Sequence, residues 1–409
     1  MRVAHSASDP VTVVDRVAEV LGPGSVSADD GAAPVASPRS ELEIADMLRV
    51  AAEHGWRVHP AGAGLGPETG QGADLILSTL GMAGVVEHAP GDLVARALSG
   101  TTLARLQSEL SAHGQWLPLD PPGGGGVTLG GLVSSGAPGP LSGEFGRPRD
   151  QLLGLTLVDG RGRVLALGGK VVKNVAGFDL VRLAAGSGGA LGVVTEATLR
   201  LFPLPEFDRV LVWTFERGPE AWALGRKLVA LPVPVAAAEV IGGDWPLPVP
   251  AGGTRVLVRL LGSEGAVNQV AREMIAAAGS PDRDIDGEPA GAVFGALSAA
   301  EGEPGPRLRA HALPSLGGGL VEAVTGLAPR RWAAHLLGGT FRACLANTDV
   351  ARLEAASRKI REAGGHCRTW GTPRLAEGHV PVESRVTSLT SAILGEFDPS
   401  GILPGVWRS

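Results

Sequence analysis

The stretch Gly168–Glu196, GGKVVKNVAGFDLVRLAAGSGGALGVVTE, decides how this chain is read. Its centre, Lys173-Asn174-Val175-Ala176-Gly177-Phe178-Asp179, is a seven-residue word that no bias of composition produces. Behind it, glycines at 186, 188, 189 and 192 precede Val193-Val194-Thr195, a β-branched run that predicts a strand. A backbone this rich in glycine beside a strand suits close approach by another backbone or by a ligand.

Two more glycine loops lie upstream. Pro60–Gly66, PAGAGLG, follows a strand candidate at Arg57–His59. A dinucleotide fingerprint begun at Gly62 needs its third glycine at position 67, which is Pro67, and Glu68-Thr69-Gly70-Gln71-Gly72 starts a helix poorly. What remains is either an ordinary turn or a nest whose successive N–H groups converge on an anion such as a pyrophosphate. The second loop runs from Asp120-Pro121-Pro122 through four glycines into Val127-Thr128-Leu129-Gly130-Gly131 and Ser134-Ser135-Gly136. Ten glycines between 123 and 146 carry a high conformational entropy cost. Val127, Leu129, Leu132 and Val133 distinguish this segment from a flexible linker. Two such loops on separate lobes predict a clamp on one extended dinucleotide, with the hydroxyls of Thr128, Ser134 and Ser135 as neutral donors to phosphate.

Bulk properties narrow the field. The 409 residues suggest two to three domains. A net charge of −6, without a block of Lys or Arg, argues against a nucleic-acid partner. Cys344 and Cys367 are too few for an iron–sulfur cluster or a disulfide framework, which fits a reducing cytoplasm. The absence of tyrosine excludes any tyrosyl acid or base. The start, MRVAHSASDP, lacks an apolar h-region, and the apolar run Leu228–Ile241 is short and broken by Pro232, Pro234 and Glu239. A cytoplasmic protein without direct membrane insertion is expected, any attachment to the inner membrane coming through partners.

Periodicity places the elements. Residues 1–34 read as a loose extension with one short helix near Val11–Leu21. Ser40 and Glu43 form a capping box for a helix ending at Gly55. Strands follow at 75–77 and 84–87, then a second lobe from Pro90 with a strand at 93–98, a helix capped by Thr102, and strands at 153–158 and 164–167. Pro203 and Pro205 mark a boundary. Beyond it, strands at 209–215, 236–241, 254–261, 339–346 and 365–370 alternate with helices at 219–231, 264–278 and 349–363. This pattern predicts split βαβ units on an antiparallel sheet. Residues 280–306, dense in Gly, Pro and Asp, read as a long loop. His311, His335, His366 and His379 stand singly, without metal-ligand spacing, so no metal is expected. Arg307, Arg309, Arg330 and Arg331 are candidates to bind a carboxylate or are ordinary solvated arginines.

The words PAGAGLG, APGDLV, SGTTLARLQ, LPLDPP, TLGGLVSSGAPGP, GRPRDQLLGLTLV, KNVAGFDLVRL and GSGGALGVVTEATLRLFPLP occur in this order between residues 60 and 205. In them the chain resembles the FAD-binding subunits of bacterial glycolate oxidase, members of the vanillyl-alcohol-oxidase-like, PCMH-type FAD-linked oxidases. The resemblance covers roughly residues 35–205. It implies an α+β protein: a two-lobed PCMH-type FAD-binding domain over 35–205 (lobes about 35–88 and 89–205), then a ferredoxin-like α/β sandwich cap over 206–409. It places FAD between the lobes. The pyrophosphate would meet Ala61, Gly62, Ala63, Gly64 and Leu65, in the loop ending at Gly66, and the segment Thr128, Leu129, Gly130 and Gly131 that follows Pro121 and Pro122. Gly192, Val193 and Val194 would lie near adenine and flavin. Gly136 and the Arg147 region would close the pocket around the flavin.

Departures from the family refine this expectation. Relatives that tether FAD do so through His or Cys, and Ala61–Gly66 has neither, so FAD is expected to be non-covalent. Phe178 replaces the usual tyrosine of the signature, which makes it a packing element. Leu403-Pro404-Gly405-Val406-Trp407 departs from the family's C-terminal ending. Lys173, beside the signature, is either near the flavin or an ordinary strand lysine, and Lys170 flanks it. Hydroxy-acid-oxidising relatives use a His-rich segment that is missing here, so the catalytic base stays unassigned. The resemblance therefore implies the shorter flavin subunit of a glycolate (D-2-hydroxy acid) oxidase complex, with a second flavin subunit and an iron–sulfur subunit as partners. Two alternatives stand beside it: a self-sufficient FAD-linked oxidase of another alcohol or hydroxy acid, and a structural subunit that has lost FAD.

Overall fold

In the computed structural model, which describes residues 10–28, 32–64, 72–169, 179–249, 252–372 and 384–404, three main sheets follow one another along the chain. The first lobe opens with α1 (Pro10–Leu21), then β1 (Val26–Ser27), β2 (Val35–Ala36), α2 (Glu41–His54), β3 (Val58–Ala61) and β4 (Leu75–Ser78). The Ser40 side chain accepts the Glu43 N–H, and Gly55 closes α2 in the left-handed conformation. The strand order is β1-β2-β4-β3, with β4 parallel to both neighbours. The short helix expected near Val11–Leu21 is present as α1, and it is packed. Val13, Val17 and Leu21 of α1 are buried against Ile44, Met47 and Leu48 of α2, because apolar residues four apart share one helix face.

The second lobe comprises β5 (Val85–Ala89), β6 (Val94–Leu98), α3 (Leu103–Ser111), β7 (Gln115–Trp116), α4 (Leu129–Ser135), α5 (Ser142–Phe145), α6 (Pro148–Gln151), β8 (Leu152–Val158), β9 (Val164–Gly168), α7 (Leu180–Ala184), β10 (Val193–Arg200) and β11 (Phe202–Pro203). Its sheet is antiparallel in the order β5-β6-β10-β8-β9. Strand β10 is the seam between the lobes. Val193 packs into the first-lobe core and Val194 into the second, as alternation along a strand requires.

The third sheet has eight antiparallel strands. A first unit runs β12 (Phe207–Phe215), α8 (Gly218–Val229), β13 (Ala237–Gly243), β14 (Thr254–Gly262), α9 (Glu264–Ala278) and β15 (Arg283–Asp286). After α10 (Glu288–Glu301), a second unit runs β16 (Arg307–His311), α11 (Gly317–Thr325), β17 (Arg331–His335), β18 (Thr340–Cys344), α12 (Val350–Glu362) and β19 (His366–Trp370). Each is a βαββαβ unit. The order β15-β12-β14-β13-β17-β18-β16-β19 joins two ferredoxin-like sheets through the second strand of each. Helices α8, α9, α11 and α12 cover one face, which carries the largest apolar core.

Two expectations need correction here. Residues 280–306 hold β15 and α10 instead of a loop. Ala290, Val293, Phe294, Leu297 and Ala300 form a buried helical stripe that the surrounding glycines conceal. The chain's last part does not stay with the third sheet. Helix α13 (Ser384–Phe397) returns to the first two lobes, where Leu394 meets Ala190 and Leu191 and the Ile402 carbonyl accepts the Val58 N–H.

Candidate functional site

The two upstream glycine loops meet. A methyl group on Gly62 would fall inside the van der Waals envelope of Thr128 Oγ1, so only glycine allows β3's exit to lie against the start of α4. Thr128 is buried and caps α4, its hydroxyl oxygen accepting the Gly131 N–H. The neighbouring N–H groups are also engaged: Leu129 donates to Thr101 O and Gly130 to Ser99 O. This segment therefore offers closeness of approach, while its donors are used internally. The other loop is complementary. Among the described residues, the N–H groups of Gly62, Ala63 and Gly64 have no backbone acceptor, and Ala63 and Gly64 are exposed. Leu65, Gly66, the word Lys173–Phe178, Lys170 and His379 lie outside the described residues.

The other predicted positions divide by role. Gly136 closes α4 with φ 56°, where a side chain would come within 2.9 Å of Gly186 Cα, and Gly186 and Gly188 donate to Val133 and Ser134 carbonyls. These bonds join α4 to the glycine segment before β10. Ser134 is half-buried, and Ser135 is exposed with its hydroxyl donating to Leu132 O. Gly192, Val193 and Val194 are buried and lie at the head of β10. Pro121 is buried and Pro122 half-buried, next to the point where α10 docks: the Ser298 hydroxyl donates to Asp120 O and the Gly123 N–H to Ser298 O. Arg147 is exposed, with its backbone N–H on Asp150.

The third sheet brings together residues that look scattered in sequence. On the face without helices α8, α9, α11 and α12, Glu239, His335, Thr340, His311 and His366 occupy one row across β13, β17, β18, β16 and β19. His335 Nδ1 lies 3.1 Å from Glu239 Oε1, and both side chains are buried. His311 Nδ1 is 3.0 Å from Thr340 Oγ1, and the His311 and His366 rings stand edge-on at 5.6 Å. In the next row Arg342, Arg309 and Arg368 lie side by side. Arg342 reaches Glu239 at 3.0 Å and Glu301 of α10 at 2.6 Å. Among the described residues these groups form no metal-binding set.

The electrostatics of this face follow from burial. Loss of hydration works against the Glu239 charge, but Arg342 and His335 outweigh it and hold its pKa below the ordinary value. For Glu301 burial wins and the pKa is raised, with Arg342 opposing. His311 is lowered by burial, then by His366, Arg147 and Arg309, so its ring is neutral near pH 7. Arg147 thus reaches this row electrostatically from the other half of the molecule. The row was recoverable from sequence. Arg307-Leu308-Arg309-Ala310-His311 and His366-Cys367-Arg368-Thr369-Trp370 alternate with period two, which points one set of side chains to one face.

A family described as FAD binding domain matches residues 32–168. The chain is 36% identical to glycolate oxidase subunit GlcE of Escherichia coli (strain K12) over 216 residues, 51% of this chain and 55% of that protein. It is 30% identical to glycolate oxidase subunit GlcD of Bacillus subtilis (strain 168), over 51% of this chain and 45% of that protein. It spans about half the length of these curated relatives. A solved alkyldihydroxyacetonephosphate synthase shares the fold over 98% of this chain and 85% of its own, with a TM-score of 0.71 at 14% identity. No described helix is long and apolar enough to cross a membrane. Residues 32–168 of this chain therefore match an FAD-binding domain, and about half of the chain is homologous to the glycolate oxidase subunits.

Proposed function

We propose that this chain is the FAD-binding subunit of a glycolate (D-2-hydroxy acid) dehydrogenase complex, holding FAD non-covalently and passing electrons to an iron–sulfur partner. The carrying observation is the seating of Gly62 on Thr128, which brings two glycine loops from separate lobes to one place. Gly62, Ala63 and Gly64 have donors to spare for a pyrophosphate, and Thr128–Gly131 lets it come close. Bound FAD would supply the hydride acceptor for a CH–OH group. The chain's own residues would bind the dinucleotide and orient it against the third sheet. The boundaries near residues 35, 88 and 205 are taken as those of the two lobes and the cap.

A second reading has its own support. The row of His311, Thr340 and His335 supplies an uncharged imidazole, paired carboxylates and arginines on one face, as a self-sufficient dehydrogenase needs. In that case His311 takes the hydroxyl proton and an arginine holds the carboxylate.

The test is to reconstitute the purified chain with FAD, record its flavin absorbance, and add glycolate without oxygen, with and without partner subunits. Bleaching only in the complex supports the subunit reading. Bleaching of the isolated chain favours the second. Absence of flavin bands after reconstitution removes both.

A further inference from the structure

The two ferredoxin-like units differ on the face left open by their own helices. In the first unit, Val210, Val212, Ile241 and Leu257 on that face are apolar, and α10 packs Val293, Phe294 and Leu297 over them. In the second unit no described helix does so, and the same face carries arginines. Arg309 stands directly opposite Arg342 on one side and Arg368 on the other. Arg307 and Arg331 flank Cys344 in the following row. Like charges directly opposite in a sheet repel, so such a ladder needs compensation.

The compensation within the protein is incomplete. Arg342 is satisfied by Glu239 and Glu301, and Arg331 pairs with Glu303. Among the described residues, Arg307, Arg309 and Arg368 have no carboxylate within salt-bridge distance, and neither has Arg147, which approaches from the FAD-binding half. The Arg307 Nε is buried without a hydrogen-bond partner. Burial and then the neighbouring Arg342 hold the Arg309 pKa below its ordinary value. At the end of the row lies a cavity of about 250 Å³ lined by Pro304, Pro306, Arg307, Arg330 and Cys344.

We infer that this face, completed by Arg147, binds a substrate with two anionic groups: a 2-hydroxy acid carrying a second carboxylate or a phosphate. The inference rests on the hydroxy-acid reading and sharpens its substrate class. One carboxylate takes up a single guanidinium fork, whereas Arg307, Arg309 and Arg368 stand here without a carboxylate, the last two over the Trp370 ring, which leaves their N–H edges open. A second anionic group accounts for the surplus.

Three probes that the flavin cannot oxidise make the test independent of turnover. Acetate, malonate and phosphonoacetate are titrated by calorimetry into the FAD-loaded protein at one fixed ionic strength. Malonate or phosphonoacetate should bind at least about tenfold more tightly than acetate, as one added charge-assisted contact provides. The tighter of the two names the second group. Arg309→Gln and Arg368→Gln should each erase most of that preference with the flavin spectrum unchanged; Arg368 is exposed and serves as the variant that spares folding. Equal binding of all three probes overturns the inference, as does an undiminished preference in both variants. So does an outcome in which the variants lose only a partner subunit, since the face would then be a protein-docking surface. If malonate is preferred but no hydroxy acid bleaches the flavin, the dianion site stands and the hydroxy-acid reading fails. If glycolate bleaches it and no dianion is preferred, the reverse holds.

Discussion

At the scale of single residues, the contact between Gly62 and Thr128 carries the cofactor argument, and it can be broken and partly repaired. Gly62→Ala places a methyl against Thr128 Oγ1 and should push the two loops apart, lowering FAD affinity at least about tenfold, the equivalent of about 1.4 kcal/mol. Thr128→Ala alone removes the α4 cap and should cost about 1 kcal/mol of stability. The double variant should bind FAD better than Gly62→Ala, because the clashing oxygen is gone. Flavin fluorescence titrations read all three, and additive losses would remove the loop contact from the site. The glycine loops were legible as places of close approach because so many glycines, interleaved with apolar residues, are costly to order unless another group must come near the backbone. Which donors stayed free was not legible, since the acceptors for Leu129 and Gly130 lie at Thr101 and Ser99, about thirty residues upstream. The word Lys173–Asp179 marked the family. Its structural contribution within the described residues is Asp179, whose side chain accepts the Arg182 N–H at the start of α7.

Among elements, legibility followed the clarity of the period. Helix α2 was readable from Ser40 and Gly55, which cap and close it as predicted, whereas the Glu43 carboxylate accepts the Arg39 N–H and leaves the expected capping box half made. Helix α10 was hidden because Gly287, Pro289, Gly291, Gly295 and Gly302 mask a sound apolar stripe, and that helix matters most for the site. It brings Glu301 to Arg342, which also holds Glu239 on β13, so one guanidinium ties the two ferredoxin-like units to the helix between them. Arg342→Met should leave two buried carboxylates without their cation and cost about 3–5 kcal/mol. The triple variant Arg342→Met, Glu239→Gln, Glu301→Gln should recover much of that loss, since no uncompensated charge remains. Thermal melting of the FAD-loaded protein checks both. A mild effect of Arg342→Met would mean that water reaches the carboxylates. The histidine row was missed for a different reason. The alternation is present in Arg307–His311 and His366–Trp370, but His335, His311 and His366 come from β17, β16 and β19 of the second unit, and only the tertiary pairing of those strands puts them in one row.

For the whole molecule, the decisive joint is between the FAD-binding half and the third sheet, and a half-buried carboxyl group sits in it. Asp120 accepts the Leu141 N–H at 3.0 and 3.2 Å, its carbonyl accepts the Ser298 hydroxyl, and Leu141 packs among Ala237, Ile241 and Ala333 of the third sheet. Burial raises the Asp120 pKa to about 8; the Leu141 N–H and Arg259 oppose this and Glu239 adds to it. An unfolded aspartate loses its proton near pH ~4, whereas in the folded protein Asp120 keeps it to about 8. Between these values the unfolded state binds fewer protons, so Asp120 makes stability fall as pH rises through the window, and the effect is flat on either side. Asp120→Asn keeps an oxygen for the Leu141 N–H and has no proton to lose. Its melting temperature should match the parent's near pH ~4 to 5, exceed it increasingly up to about pH 8, and then run parallel. Parent and variant are compared at each pH with the same FAD loading, because cofactor binding also shifts the melting temperature. A difference that is constant across this range, or that shrinks as pH rises, would mean that Asp120 is already ionised in the folded protein. The joint would then be held by a charge, with Arg259 as the cation that favours it most, and not by a neutral carboxyl group.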